Sequence, residues 1–119
     1  MDKTVTTDYR ALLGDIVTVT VDRPLGSCHP NYPELYYSLN YGYIKGSCAE
    51  DGEEADAYII GVDEPLCEFV GRVIAVIHRL NDAEDKLVVA PVGATFTKEQ
   101  IIGLTEFQER FFDITLQTL

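Results

Sequence analysis

From residue 14 to residue 22 the chain reads GDIVTVTVD, with Val17, Val19 and Val21 alternating against Thr18 and Thr20. A period of two belongs to a strand with one face on a core and the other toward water. The next ten residues, PLGSCHPNYP, hold three prolines and a glycine and cannot continue a central strand, so 24–33 reads as an ordered loop. Residues 35–44, LYYSLNYGYI, are aromatic and strand-prone, with Gly42 marking a bulge or a close backbone approach. A short apolar run at 57–60, a branched run at 69–80 (FVGRVIAVIHRL) and KLVVA at 86–90, closed by Pro91, predict further strands. The period then changes. Thr97-Lys98-Glu99-Gln100 has the form of a capping box, and Ile101, Leu104, Phe107 and Phe111 recur at helical spacing, which predicts a C-terminal amphipathic helix.

About five strands followed by one helix, without βαβ alternation, give a mainly β (α+β) fold. The expected architecture is a small, closed or partly open antiparallel β-barrel, OB-like, with a C-terminal α-helix, and residues 1–119 form a single domain. There are no repeats or low-complexity segments. Tyr36, Tyr37, Tyr41 and Tyr43 alternate between two faces, one pair belonging to the core or a subunit interface. Phe107, Phe111 and Phe112 are expected in the core.

Charge narrows the range of partners. Twenty Asp and Glu against nine Lys and Arg give a net charge of −11. Nucleic acids and anionic membranes are bound through cations that displace counterions, so neither is an expected partner. Anionic substrates are disfavoured as well, unless divalent metals invert the local field. No run approaches the roughly 18 apolar residues of a spanning helix, and the N-terminal residues lack the apolar segment of a leader, so a cytoplasmic location is expected. Cys28, Cys48 and Cys67 have no C-x-x-C spacing and are expected as buried or half-buried reduced thiols.

The acids are unevenly placed. Five of the seven residues from Glu50 to Asp56 are acidic, in a turn between two strands, and a second turn holds Asp82, Glu84 and Asp85 before Lys86. Crowded carboxylates raise one another's pKa and destabilise a fold unless cations sit among them. Mg²⁺ is a hard ion often held by one or two carboxylates plus substrate phosphate. An EF-hand loop and an H-E-x-x-H pattern are both absent. The two turns therefore read either as solvated hairpin tips or as the two sides of a metal and phosphate site.

These residues resemble a family, the soluble Mg²⁺-dependent inorganic pyrophosphatases of the small-barrel type. Tyr37 to Ile44, YSLNYGYI, is similar to the family's Y-P-x-N-Y-G-[FY]-I strand. Asp51 to Asp56, DGEEAD, stands where the family has D-G-D-P-x-D, and Lys86 to Pro91, KLVVAP, resembles its D-x-K-[IL]-[IV]-A-V-P strand. The resemblance implies metal binding by Asp51 and Asp56, a base at Glu53 that activates water, and further metal ligands among Asp82, Glu84 and Asp85. It implies phosphate contacts from Tyr41 and Lys86. It also implies Mg²⁺, with Mn²⁺ or another divalent ion as substitutes, a small phosphate-containing substrate, and a homo-oligomer.

The chain departs from the family in three places. Asp22-Arg23-Pro24 matches the family's E-I-P only loosely, and the basic hairpin that follows is replaced by the shorter loop 24–33. Arg23, His29 and Lys45 are the available substitutes for its phosphate-binding cations. Glu53 is one methylene longer than the family's Asp, and the Tyr-Lys pair of the last helix is expected at Phe111-Phe112. The implied reaction is hydrolysis of pyrophosphate to two orthophosphates by a metal-activated water. The alternatives are a related phosphoanhydride hydrolase or a non-catalytic phosphate- and metal-binding module.

Overall fold

The computed structural model describes residues 10–45, 54–80 and 85–119. After a short 3-10 turn (Arg10–Leu12) come β1 (Ile16–Arg23), β2 (Asn40–Ile44), β3 (Ala55–Ile59), β4 (Glu68–Arg79), β5 (Asp85–Ala90), α1 (Lys98–Glu109) and β6 (Ile114–Thr118). The sheet runs β1-β2-β3-β5-β4, and β4 pairs back to β1, which closes a five-stranded barrel. Closure makes β4 long. Its first residues pair with β1 (Ile16↔Arg72 to Thr20↔Glu68), its later ones with β6 (Ala75↔Thr118 to Arg79↔Ile114), and β5 covers the other edge.

Two features differ from the sequence expectation. The β3–β5 pair is parallel (Ala57↔Leu87, Tyr58↔Val88, Ile59↔Val89), whereas the other ring pairs are antiparallel. Parallel neighbours need a long crossover, and β4, running between them in the chain, is that crossover. A sixth strand, β6, follows the helix, because the chain turns at Glu109 and returns along β4.

Alternation sorts the side chains into two cores. Val19, Ala57, Ile59, Val73, Leu87 and Val89 form one fully buried cluster, with Ile44 packed against it. It draws on every strand of the ring, so it is the barrel lumen. Tyr37, Tyr58, Ile77, Val88 and Ile101 belong to the second cluster, between the outer face of the barrel and α1. Gly42 marks a close approach, since a Cβ there would lie 1.9 Å from the carbonyl oxygen of Thr20 on β1. Buried Asn40 ties two loops to the barrel. Its Oδ1 accepts from the backbone N–H groups of Leu25 and Leu66 at 3.0 and 2.9 Å, and its Nδ2 donates to the Glu64 carbonyl at 2.9 Å.

Helix α1 begins as its sequence predicts. The Thr97 hydroxyl accepts from the Gln100 N–H at 3.1 Å, and the Gln100 side chain accepts from the Thr97 N–H at 2.8 Å, the reciprocal capping box. The buried stripe, however, is Ile101, Thr105 and Glu109. Leu104 is exposed because this stripe, at spacing four, passes beside it, and Phe111 is 62% exposed because the helix ends at Glu109. Cys28 and Cys67 are also exposed, not buried as their residue type suggests, because both sit in loops. Cys48 lies outside the described residues.

Candidate active site

The face of the sheet opposite the lumen carries the polar chemistry. In β3, Ala55, Ala57 and Ile59 enter the lumen, so Asp56 and Tyr58 fall on the outer face; in β5, Leu87 and Val89 enter the lumen, so Lys86 joins Asp56. Tyr41 on β2 stands opposite Tyr58, with ring centroids 4.9 Å apart. Three strands thus deliver side chains to one carboxylate. Asp56 Oδ2 accepts from the Tyr41 hydroxyl at 2.9 Å and from Lys86 Nζ at 2.7 Å. The Lys86 side chain is 4% exposed and that of Asp56 34%. Lys86 reaches the site through an apolar wall and presents its charge there, while Asp56 opens to solvent.

These groups line a cavity of about 680 Å³, within the usual size of a small-ligand site. A bulge in β1 shapes one wall. Val21 pairs with Gly42 and Arg23 with Tyr41, leaving Asp22 as the extra residue, so the neighbours Asp22 and Arg23 both face the cavity. Arg23 Nη1 donates to the Tyr37 hydroxyl at 3.1 Å, and Tyr37 donates to Gln108 Oε1 at 2.8 Å. Gln108 Nε2 donates to the Tyr58 hydroxyl at 2.7 Å, and Tyr58 donates to Glu109 Oε2 at 2.6 Å. Arg79 ends this chain in a fork on Glu109, Nε to Oε1 at 3.0 Å and Nη2 to Oε2 at 2.7 Å.

Burial sets the protonation states. Loss of water, reinforced by the charge of Asp56, pushes the Tyr41 hydroxyl well above its ordinary pKa; burial beside Glu109 does the same for Tyr58. Both tyrosines therefore act as donors to their carboxylates. Partial desolvation raises Asp22, with a smaller push from Asp56 and an opposing pull from Arg23. Burial works against the Arg79 charge, but the hydrogen bond and charge of Glu109 outweigh it and raise its pKa.

Of the residues expected from sequence, Asp56, Tyr41, Lys86, Arg23 and His29 meet at this cavity. Lys45 is exposed just beyond β2 and outside the cavity wall. Asp85 precedes Lys86 in an extended strand and so points to the opposite face, where its Oδ1 lies 2.6 Å from His78 Nδ1. Asp51, Glu53, Asp82 and Glu84 lie outside the described residues. Phe111 and Phe112 follow the helix instead of ending it, and the helix side chains linked to the cavity network are Gln108 and Glu109. Arg79 was not anticipated, although a charge two positions after Ile77, on the same apolar face, was a visible signal.

Hard oxygen donors suit a divalent cation here. Asp56 and Asp22 line one cavity, and both contacts to Asp56 among the described residues use Oδ2, leaving Oδ1 for a ligand. No group of three potential ligands is gathered among the described residues. This fits the mode in which one or two carboxylates act together with water and phosphate oxygens.

The sequence profile of the inorganic pyrophosphatase family matches residues 15–116. The fold is similar to the inorganic pyrophosphatase of Ehrlichia chaffeensis, with a TM-score of 0.69 and 16% identity over 98% of this chain and 92% of that one. It is also similar to those of Neisseria gonorrhoeae (TM-score 0.62, 21% identity, 84% and 79% covered) and Thermus thermophilus (0.59, 15%, 96% and 85%). At such identities the structures speak for the fold, and the profile match over most of the chain speaks for descent. With the closed barrel, the NYGYI strand and the Asp56, Tyr41 and Lys86 cluster in place, the chain belongs to the inorganic pyrophosphatase family, whose reaction class is that of an inorganic diphosphatase.

Proposed function

We propose that the cavity hydrolyses pyrophosphate to two orthophosphates with a divalent cation, Mg²⁺ foremost, and that Asp56 is its central carboxylate. The observation that carries this reading is the convergence of Tyr41 and Lys86, from two other strands, on Asp56 Oδ2 in the cavity wall. Asp51, Asp56, Asp82 and Glu84 are the carboxylates assigned to metal. The strand alternation that turns Asp85 away from Lys86 favours the other two acids of that turn. Bound divalent ions lower the pKa of water and offset phosphate charge.

The chain's own residues supply position and proton handling. Lys86, held on Asp56 among the described residues, supplies a cation at the cavity wall for a phosphate oxygen. Arg23, fixed by Tyr37, supplies a second cation at the same wall. Glu53 takes the proton of the attacking water as its oxygen bonds to phosphorus, the bridging P–O bond breaks, and the second phosphate leaves. Phosphoryl transfer asks little more of a protein than positioning and charge.

The test is orthophosphate release by the purified protein with Mg²⁺ or Mn²⁺, comparing pyrophosphate with nucleoside triphosphates and polyphosphate. Release from pyrophosphate is the expected result. Release from the other anhydrides alone would move the substrate assignment. A thermal shift with Mg²⁺ and pyrophosphate but no hydrolysis would make the protein a binding module; ligand at 100 times its Kd stabilises the native state by about 2.7 kcal/mol.

A further inference from the structure

The cavity has two chemically different parts. Arg23, Asp56 and Lys86 bring charge to it from β1, β3 and β5, whereas Tyr32 and Phe111 bring aromatic rings from the β1–β2 loop and from the turn after α1. Both rings line the cavity and yet are 58% and 62% exposed. Single exposed apolar side chains are ordinary on a protein surface. Two aromatic rings carried to one cavity by segments far apart in the chain are not scattered in that way. The loop that holds Tyr32 is built: the His29 N–H donates to the Leu35 carbonyl at 2.9 Å, the Leu35 N–H to the Tyr32 carbonyl at 2.8 Å, and the Tyr37 N–H to the Ser27 carbonyl at 2.8 Å. The His29 ring, whose Nδ1 accepts from the Asn31 N–H at 3.0 Å, lies 5.1 Å from the Tyr32 ring. On the other segment the Arg110 Cζ lies 5.1 Å from the centre of the Phe111 ring, and Arg110 also lines the cavity.

Such rings do nothing for a bare phosphate. The face of an aromatic ring is its negative side, so an anion gains nothing from it. A nucleobase is planar and uncharged, and stacks on exposed aromatic rings and beside arginine whatever its identity. Size agrees with this occupant, because a cavity of about 680 Å³ belongs to the range that encloses ligands much larger than pyrophosphate. Charge gives the orientation, with an anionic end toward Arg23 and Lys86 and an uncharged planar end toward the rings. We propose that Tyr32 and Phe111, with His29 and Arg110 beside them, form a stacking subsite for the base of a nucleoside phosphate whose phosphate end lies toward Arg23 and Lys86. The inference rests on the phosphate reading of the cavity and adds a class of ligand to it.

The test is calorimetry on the full chain in Mg²⁺ with adenosine monophosphate and with ribose-5-phosphate, which has the same phosphate and sugar without the base. Base stacking predicts a Kd for the nucleotide lower on the order of tenfold or more. In Y32A/F111A the two Kd values should converge, and since both rings are exposed the variant is expected to melt close to wild type. The nucleotide should also raise the KM for pyrophosphate and leave kcat unchanged, because their phosphates share one end of the cavity. Equal Kd values in the wild type overturn the proposal without need of the variant, and a folded Y32A/F111A that keeps the wild-type preference does so too. Inhibition that lowers kcat and leaves KM alone puts the nucleotide elsewhere and is equally fatal. The two readings fail separately: turnover of pyrophosphate with no preference for the base sinks only this proposal, whereas a preference for the base with no turnover keeps the subsite and sinks the hydrolase reading.

Discussion

The barrel lumen and the outer face beneath α1 are built from the same strands, one residue apart, and they follow opposite rules. Ala57 and Ile59 of β3 are fully buried among Val19, Val73, Leu87 and Val89, with no polar group in the cluster. Asp56 and Tyr58, one residue out of phase with them, are both hydrogen-bonded: Asp56 accepts from Tyr41 and Lys86, and Tyr58 belongs to a chain that runs on through Glu109 to Arg79. In the lumen, energy follows from volume and contact, so residues of similar size are nearly exchangeable. On the outer face every buried polar group depends on a particular partner, and removing one leaves another unsatisfied. A strand with period two can therefore carry a scaffold on one side and a reaction on the other.

This contrast can be broken by substituting neighbouring positions. The largest stability effect is expected in the lumen. Ile59→Ala should cost about 2 to 5 kcal/mol in denaturant unfolding through lost burial and a residual cavity. Its kcat/KM for pyrophosphate should stay near wild type under conditions where the protein remains folded. A loss of activity that exceeds the unfolded fraction would mean that the two faces are not independent.

A smaller effect is expected at Tyr37, whose hydroxyl links Arg23 to Gln108. Tyr37→Phe should cost on the order of 1 kcal/mol of stability and raise KM through the freed Arg23, with little change in kcat. Equal kinetics in the two proteins would show that Arg23 needs no such support.

The smallest effect concerns Asp22, whose pKa is raised by desolvation at the cavity wall and by Asp56. A carboxyl with a raised folded-state pKa favours the fold while protonated. That contribution is complete below its ordinary value of 3.8 and is lost as pH rises through the raised value. In chelator-treated protein, Asp22→Asn should therefore melt slightly higher than wild type at neutral pH. The difference should vanish as pH falls below the ordinary value. A variant that is less stable at neutral pH would show that the Asp22 carboxylate is satisfied there.

How much of this was legible in the sequence depended on the range of the interaction. The Val17, Val19 and Val21 alternation, the Gly42 contact and the Thr97 to Gln100 cap are local, and their residues announce them. Asp56, Tyr41 and Lys86 were identified by resemblance, whereas their common face depends on how β2, β3 and β5 pair. The parallel β3–β5 pair and β6 were not legible, because strand order depends on which edges remain open after folding. The Asp22 bulge arises from the pairing with β2 and leaves no local mark. Arg79 was missed because its partner Glu109 is 30 residues away, and the helical spacing that appeared to reach Phe111 hid the end of the helix at Glu109.

The central claim is that the Asp56 carboxylate, and not the barrel as a whole, carries the reaction. The direct measurement is orthophosphate release from pyrophosphate in Mg²⁺ by wild type and Asp56→Asn, with both melting curves recorded. Asp56→Asn keeps the shape of the side chain but removes the charge paired with the buried Lys86, so a lower melting temperature is expected and the two rates are compared where both proteins are folded. The rate of release should fall on the order of 100-fold or more, as for a misplaced or lost reacting group. An Asp56→Asn protein that releases orthophosphate at the wild-type rate would contradict the account.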